Sequence, residues 1–201
     1  MERDEFGRSM IEMLGVLAIV GILSIGAISG FQKAMFKYKL QKTTEEYNML
    51  FQDVLKYHKE FIALSSQIAP LLHDMGLVPA TWRQGGGLIY DRLNNKINPF
   101  IRSHKYVNFD IHLKADDTSI FVCEAIYRDV FMQFSDTLFN VSISRRDSED
   151  VSSGGEYTRY GNLYCNGITK KCVKDMTLSD IRNSCSVCAE NDNYCVIFIN
   201  L

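Results

Sequence analysis

The feature that most constrains this chain is an apolar run close to its beginning. Residues 13–31 carry no charged side chain, and a single carboxylate, Glu12, stands at the entrance to the run. As a helix that rises ~1.5 Å per residue, these 19 residues come close to the ~30 Å hydrocarbon core of a bilayer. An acid costs free energy in a membrane helix unless its head reaches water or a positive partner. The run therefore predicts a membrane-inserted helix with Glu12 either at the interface or reserved for a cation.

A cleavable secretory signal peptide is the main alternative for this run. Ala27 and Ser29 have the small-x-small spacing that a signal peptidase reads. The run is longer, however, than the ~7–15 apolar residues of a signal peptide. The first seven residues, MERDEFG, also hold three acids against one base instead of a positive excess. These observations favour a retained helix.

The stretch "GRSMIEMLGVLAIVGILS" resembles the prepilin signature of type IV pilins and type II secretion pseudopilins. The resemblance implies that a prepilin peptidase cuts after Gly7, which leaves Arg8 as a new, methylated N-terminus. It also implies that Glu12 faces the N-terminal amine of a neighbouring subunit during assembly. Arg8 departs from the phenylalanine that is usual in the family, and Ser29 from its proline. Gly26 and Gly30 have the GxxxG spacing that permits close helix contact in an apolar setting.

Composition and cysteines bear on the remainder of the chain and its compartment. With 201 residues, 46% of them hydrophobic, the chain can build one modest domain beyond the helix, and a net charge of −2 gives no case for nucleic-acid binding. By the positive-inside rule, the lysines after the run would place this domain in the cytoplasm. Six cysteines indicate an oxidising compartment instead. Because the leader resembles one that dedicated machinery recognises, the cysteines and the prepilin signature outweigh the lysines. The lysines are Lys33, Lys37, Lys39 and Lys42.

Periodicity predicts an α+β fold. An apolar stripe predicts that the N-terminal helix continues from about Arg8 to Leu64, with His58 as a packed core residue. Residues 65–100, which hold all three prolines and the triplet Gly85–Gly87, predict a connecting loop anchored by Trp82. "YVNFDIHLK" alternates as a strand with one wet face, and "DDTSIFVCEAIYRDVFMQF" predicts a second helix capped by Asp117 or Thr118. "TLFNVSIS" and "YCVIFIN" predict further strands, "NLYCNGITKKCV" a hairpin, and "RRDSEDVSSGGEYTR" an exposed loop.

The predicted organisation is a leader over 1–7, a membrane and assembly half of the helix over 8–31, an amphipathic half over 32–64 and a globular α+β domain over 65–201. In this fold a long N-terminal helix packs on an antiparallel sheet, with a second helix and a disulfide-rich C-terminal region. The element order is similar to the globular domain of type IVb pilins.

The cysteines favour structural disulfides over a metal or redox site. Cys185-x-x-Cys188 is the one chemically suggestive pair, yet a zinc ribbon needs a second such pair. Cys165 and Cys172 flank a six-residue connection, so they are expected to pair locally. The likeness to type IVb pilins implies that Cys123 pairs with Cys185, with Cys188 as the alternative. Cys188 and Cys195 then remain for each other.

The sequence offers little for catalysis, since no histidine stands at metal-motif spacing with another histidine or a cysteine, and no cofactor is predicted. The resemblance implies a structural subunit of a bacterial type IV pilus or pilus-like filament. Its expected partners are copies of itself, other pilins, a prepilin peptidase, the inner-membrane assembly platform and the membrane. It would be an inner-membrane precursor with an extracytoplasmic C-terminal domain, and later part of a surface pilus or periplasmic pseudopilus. The alternative is a single-pass membrane protein with a cysteine-rich ligand-binding domain that never polymerises.

Overall fold

The computed structural model describes residues 4–64, 67–114, 116, 118–146, 157–189 and 194–201. It forms two compact units, Met1–Lys39 and Leu40–Leu201. The helices are α1 (Asp4–Lys56), α2 (His58–Ile62), α3 (Ala69–Asp74), α4 (Ser119–Ile126) and α5 (Leu178–Cys185). The strands are β1 (Arg83–Gly85), β2 (Leu88–Tyr90), β3 (Lys96–Arg102), β4 (Tyr106–Leu113), β5 (Asn140–Arg146), β6 (Tyr157–Tyr160) and β7 (Tyr194–Asn200).

The first unit consists of the beginning of α1. This helix starts at Asp4 and has no Pro to interrupt it. The predicted single helix to Leu64 is wrong in one respect: α1 ends at Lys56, and after Tyr57 a short α2 follows. Tyr57 has φ −106° and ψ 20°, outside the helical region, so the break is one residue long.

The second unit is built around a seven-stranded antiparallel sheet, in the order β1-β2-β3-β4-β7-β5-β6. Phe51 of α1 packs on Phe109 of β4 with ring centroids 5.1 Å apart, and on Phe134 at 5.9 Å. The α+β fold with a long helix on an antiparallel sheet is therefore confirmed. The stripe of α1 is buried as predicted at Thr44, Tyr47, Phe51 and Val54, and Phe61 of α2 is buried as well.

The segment predicted as a connecting loop contains three strands, so that prediction is wrong. Gly86 and Gly87 have φ of 60° and 76°, and they form the two-residue turn between β1 and β2. Pro99 lies inside β3, where a missing N–H would interrupt a ladder. It is tolerated because β2 pairs only with the start of β3, while the Pro99 carbonyl accepts a hydrogen bond from the Ile68 N–H at 3.1 Å.

The polar face of β4 is less exposed to solvent than the alternation in its sequence predicts. Asn108 is fully buried and Asp110 is buried as well, so the expectation of a solvated face is wrong at both positions. Strand β4 lies in the middle of the sheet, with Phe100 of β3 and Asn200 of β7 opposite Asn108. The Asn200 side chain donates to Asn140 of β5 at 2.6 Å. Flanking strands thus shield polar residues that alternation alone would place in water.

The C-terminal part also differs in detail from the prediction. Residues 163–173 form turns instead of a strand hairpin, and within them Gly167 has φ 72°. The Asn166 side chain accepts from the N–H groups of Ile168, Thr169 and Lys170, which closes the turn. Helix α4 is followed by a π-helical turn, Tyr127–Phe131. The Asp117 cap lies outside the described residues, and the Thr118 side chain makes no capping hydrogen bond.

Candidate functional site: the exposed start of helix α1

The apolar part of α1 presents hydrophobic side chains on every side. Its large apolar residues between Met10 and Phe31 are each more than half exposed, from 51% at Val20 to 73% at Ile11. A helix that is hydrophobic all round belongs in a membrane or among other helices. This part of α1 also exposes far more apolar surface than soluble monomers usually do.

This helix meets the length and composition criteria for a membrane span. Within Met10–Lys56 its most apolar window has a mean hydropathy of 2.3, and none of that window is buried. A secretory signal sequence near an N-terminus meets the same criteria. By its length and composition, the helix could therefore cross a bilayer, as the apolar run predicts.

Glu12 lies on this apolar helix as an exposed carboxylate. Among the described residues it has no hydrogen-bond or ion-pair partner, and the side chain of Arg8 lies outside the described side chains. Gly7 and Arg8 are in the first turns of α1. The structure therefore presents Glu12 without showing which positive group would meet it.

Gly26 and Gly30 lie one helical turn apart, so they share a face of α1. A Cβ built on either glycine would meet no atom within 4 Å. Nearby, the Ser24 hydroxyl donates to the Val20 carbonyl at 2.7 Å, which satisfies that hydroxyl within the helix. The face at the two glycines is thus open, as close helix packing requires.

Within the second unit, α1 carries a buried carboxylate that sequence reasoning missed. Glu46 is 6% exposed, and it accepts hydrogen bonds from Thr81 at 2.7 Å, from the Trp82 indole at 2.8 Å and from Arg92. Burial alone would raise the pKa of Glu46, but these hydrogen bonds outweigh it and hold the pKa below its usual value. Trp82 is the predicted packing anchor, with Tyr47 edge-on at 4.9 Å.

A second buried carboxylate lies next to this cluster. Asp91 accepts from the Tyr47 hydroxyl at 3.0 Å and from the backbone N–H groups of Leu93 and Asn95 at 2.9 and 2.8 Å. Burial raises the pKa of Asp91 in spite of these bonds. Burial also raises the pKa of the Tyr47 hydroxyl, and the nearby Asp91 raises it further. The sequence feature that could have revealed this network is the position of Glu46 on the helix, because its helical neighbours Tyr47 and Leu50 are apolar.

Three disulfides close the second unit, and they join the pairs expected from the sequence. Cys123 of α4 is bonded to Cys185 of α5, with Cα atoms 5.7 Å apart. Cys165 is bonded to Cys172 and Cys188 to Cys195, with Cα separations of 5.1 and 5.0 Å. Both cysteines of the Cys185-x-x-Cys188 pair are therefore engaged in disulfides. Within the described residues, no cluster of His, Cys, Asp or Glu side chains could hold a metal ion.

His58 lies closer to solvent than the predicted core position. It is half-buried, and its Nε2 is 3.3 Å from the Leu201 carbonyl oxygen.

Comparison of the chain with protein-family models, with curated proteins and with solved structures found no match.

Proposed function

We propose that this protein is a structural subunit of a bacterial type IV pilus or a related filament, and that its role is assembly instead of catalysis. In this proposal α1 anchors the precursor in the inner membrane, with the disulfide-bonded domain on the extracytoplasmic side. A prepilin peptidase removes residues 1–7, and the assembly platform then draws the subunit into a helical polymer with its own copies and other pilins. The final location is a surface pilus or a periplasmic pseudopilus.

The observation that carries the proposal is Glu12, which has no partner among the described residues and lies on the exposed apolar part of α1. A carboxylate in an apolar setting is unfavourable alone, and a cation beside it offsets much of that cost. The amine that cleavage after Gly7 would create at Arg8 is such a cation. Within one helix the amine would lie four residues from Glu12, and between staggered helices it could meet Glu12 of a neighbour. The open face at Gly26 and Gly30 suits that packing.

The disulfides support the extracytoplasmic assignment of the domain. All six cysteines are paired, and disulfides persist chiefly in oxidising compartments. The lysines after the apolar run would favour the opposite topology. Labelling of cysteines with a membrane-impermeant maleimide after reduction distinguishes the two, because only an extracytoplasmic domain is labelled in intact spheroplasts.

The decisive experiment is co-expression with a prepilin peptidase, followed by intact-mass analysis and electron microscopy of sheared surface material. We expect a mature chain that begins at Arg8, with one added methyl group, and filaments that contain it. Replacement of Gly7 by a bulky residue should leave the leader attached. Cleavage after Ser29 would contradict the proposal, as would an unprocessed chain in the presence of active peptidase. Processing without filaments would favour the non-polymerising single-pass protein.

A further inference from the structure

The second unit contains a cavity of about 580 Å³ whose wall is aromatic and whose mouth is charged. Small-molecule sites typically enclose about 300–1,000 Å³. Tyr106, Phe139 and Tyr164 line one side of the cavity. None of these side chains has a role in the proposed filament function.

The aromatic wall is held in place by the backbone around it. The Phe139 ring stacks on Tyr106 with centroids 4.4 Å apart and meets Tyr164 edge-on at 4.9 Å. The turn that carries Tyr164 is docked by two hydrogen bonds, from Gly161 N–H to the Phe139 carbonyl at 3.1 Å and from Asn162 N–H to the Ser135 carbonyl at 2.7 Å. The wall is therefore formed before any ligand arrives, which lowers the entropic cost of binding.

Three lysines from separate segments meet at the mouth of the cavity. Lys56 ends α1, Lys59 lies in α2 and Lys105 lies in the turn between β3 and β4. Within the described chain, none of the three forms an ion pair, and the Lys56 ammonium lies 5.1 Å from the centroid of the Tyr57 ring. Unpaired like charges around one opening repel each other and attract an anion.

Side chains that can accept hydrogen bonds from hydroxyl groups also line this cavity. Glu60, Asp136 and Thr137 also line the cavity, so acceptors stand beside the lysines. Two carboxylates would repel the closely spaced phosphates of a nucleic-acid strand. They would accept hydrogen bonds from a ligand that carries hydroxyl groups along with one or two well-separated carboxylates.

We propose that this cavity binds an acidic saccharide, one or two sugar rings that carry a carboxylate. The C–H faces of the rings lie on the electron-rich Tyr106 and Tyr164 rings. The sugar carboxylate meets Lys59 and Lys105, and its hydroxyl groups donate to Glu60 and Asp136. The site would serve a filament subunit and a single-pass membrane protein alike, so it stands independently of polymerisation.

The test measures binding of digalacturonic acid to the full-length chain in detergent micelles, by calorimetry and by saturation-transfer NMR at low ionic strength. The neutral disaccharide galabiose, with the same linkage and ring stereochemistry, is the matched ligand. We expect the acidic disaccharide to bind about tenfold more tightly than the neutral one, with an affinity that falls as salt is added.

Variants assign the binding to this cavity. Lys59→Gln and Lys105→Gln should each weaken digalacturonate binding about fivefold and leave galabiose binding unchanged. Tyr164→Ala should weaken both ligands, and Lys171→Gln, an exposed lysine outside the cavity, should weaken neither. All four positions are exposed, so the variants should fold, and thermal unfolding checks this.

Equal affinity for the two disaccharides, unchanged binding in the lysine variants, or no binding would overturn the proposal. Tighter lysine-dependent binding of oligothymidylate than of digalacturonate would overturn it in favour of a nucleic-acid site.

Discussion

Two glutamates of α1 are in opposite environments, and their chemistry differs accordingly. Glu12 is exposed among apolar side chains and has no partner within the described chain. Glu46 is buried but receives hydrogen bonds from Thr81, Trp82 and Arg92. A carboxylate that lacks a partner can respond to an incoming subunit, whereas a fully bonded one holds its own domain together.

Replacement of Glu12 by Ala is therefore expected to abolish assembly without unfolding the monomer. The change removes a charge that costs free energy in an apolar setting, and Glu12 has no hydrogen-bond or ion-pair partner among the described residues. The measurement is the yield of sheared filaments at equal subunit expression, with thermal unfolding of the monomer as a fold check. Glu45→Ala is the control, since that glutamate of α1 is half-exposed and makes surface contacts with Lys42 and Gln41 of its own helix. Filament yields at the wild-type level in Glu12→Ala cells would favour a passive anchor.

Replacement of Glu46 by Gln should destabilise the second unit by about 2–3 kcal/mol, because the partly buried ion pair with Arg92 is lost. The amide also keeps only one acceptor oxygen for Thr81 and Trp82, so its NH2 group faces a donor. The folded state lowers the pKa of Glu46 below the unfolded value of 4.5, so its stabilisation is present above that pH and is lost as the pH falls through the lowered pKa. Urea unfolding at neutral pH and at about pH 3 measures both effects. Glu45→Gln serves as the surface control, and a wild-type stability for Glu46→Gln at neutral pH would contradict the assignment.

At the scale of elements, periodic segments could be predicted and locally broken ones could not. The stripe of α1 and the alternation of β4 dictate a helix and a strand by side-chain spacing alone. Strands β1 to β3 were missed because a glycine triplet and Pro99 interrupt the pattern that identifies a strand. The Glu46 cluster was missed for a different reason, because it depends on residues that are distant in sequence: its partners Thr81, Trp82 and Arg92 lie 35 to 46 positions further along the chain.

The turn after β6 is an element whose position depends on one glycine. A Cβ on Gly161 would lie 1.8 Å from the Leu138 carbonyl oxygen, which is backbone and cannot swing away. Gly161→Ala should thus displace this turn and destabilise the second unit by about 1–3 kcal/mol. Gly85→Ala is the matched control, because a Cβ there meets nothing within 4 Å. Urea unfolding compares the two, and equal stability of both variants would show that the turn relaxes at little cost.

At the scale of the whole molecule, the three disulfides differ most in the length of chain that they close. The Cys123–Cys185 bond spans 62 residues, whereas the other two each span 7. In the chain-entropy model the long loop contributes about 4 kcal/mol and each short loop about 2 kcal/mol. The long bond also joins α4 to α5, so its loss releases two elements at once.

The double variant Cys123→Ser/Cys185→Ser should therefore lower the free energy of unfolding about twice as much as Cys165→Ser/Cys172→Ser. Paired replacement avoids a free thiol that would exchange with the remaining bonds. Denaturant unfolding gives the comparison, and non-reducing peptide mapping of the wild type checks the pairing. Free thiols at Cys185 and Cys188 together with bound zinc would contradict both the pairing and the extracytoplasmic assignment.

The position of β7 in the sheet has a consequence for the order of folding. This strand lies between β4 and β5, although it follows both in the chain by many residues. Until residue 200 is available, β4 and β5 cannot be bridged, and each leaves a pairing edge open. A nascent chain thus cannot complete this sheet while its last strand is still inside a ribosome or a translocation channel. In the extracytoplasmic topology proposed above, the domain would therefore cross the membrane before this sheet is complete, in the unfolded form that a translocation channel can pass.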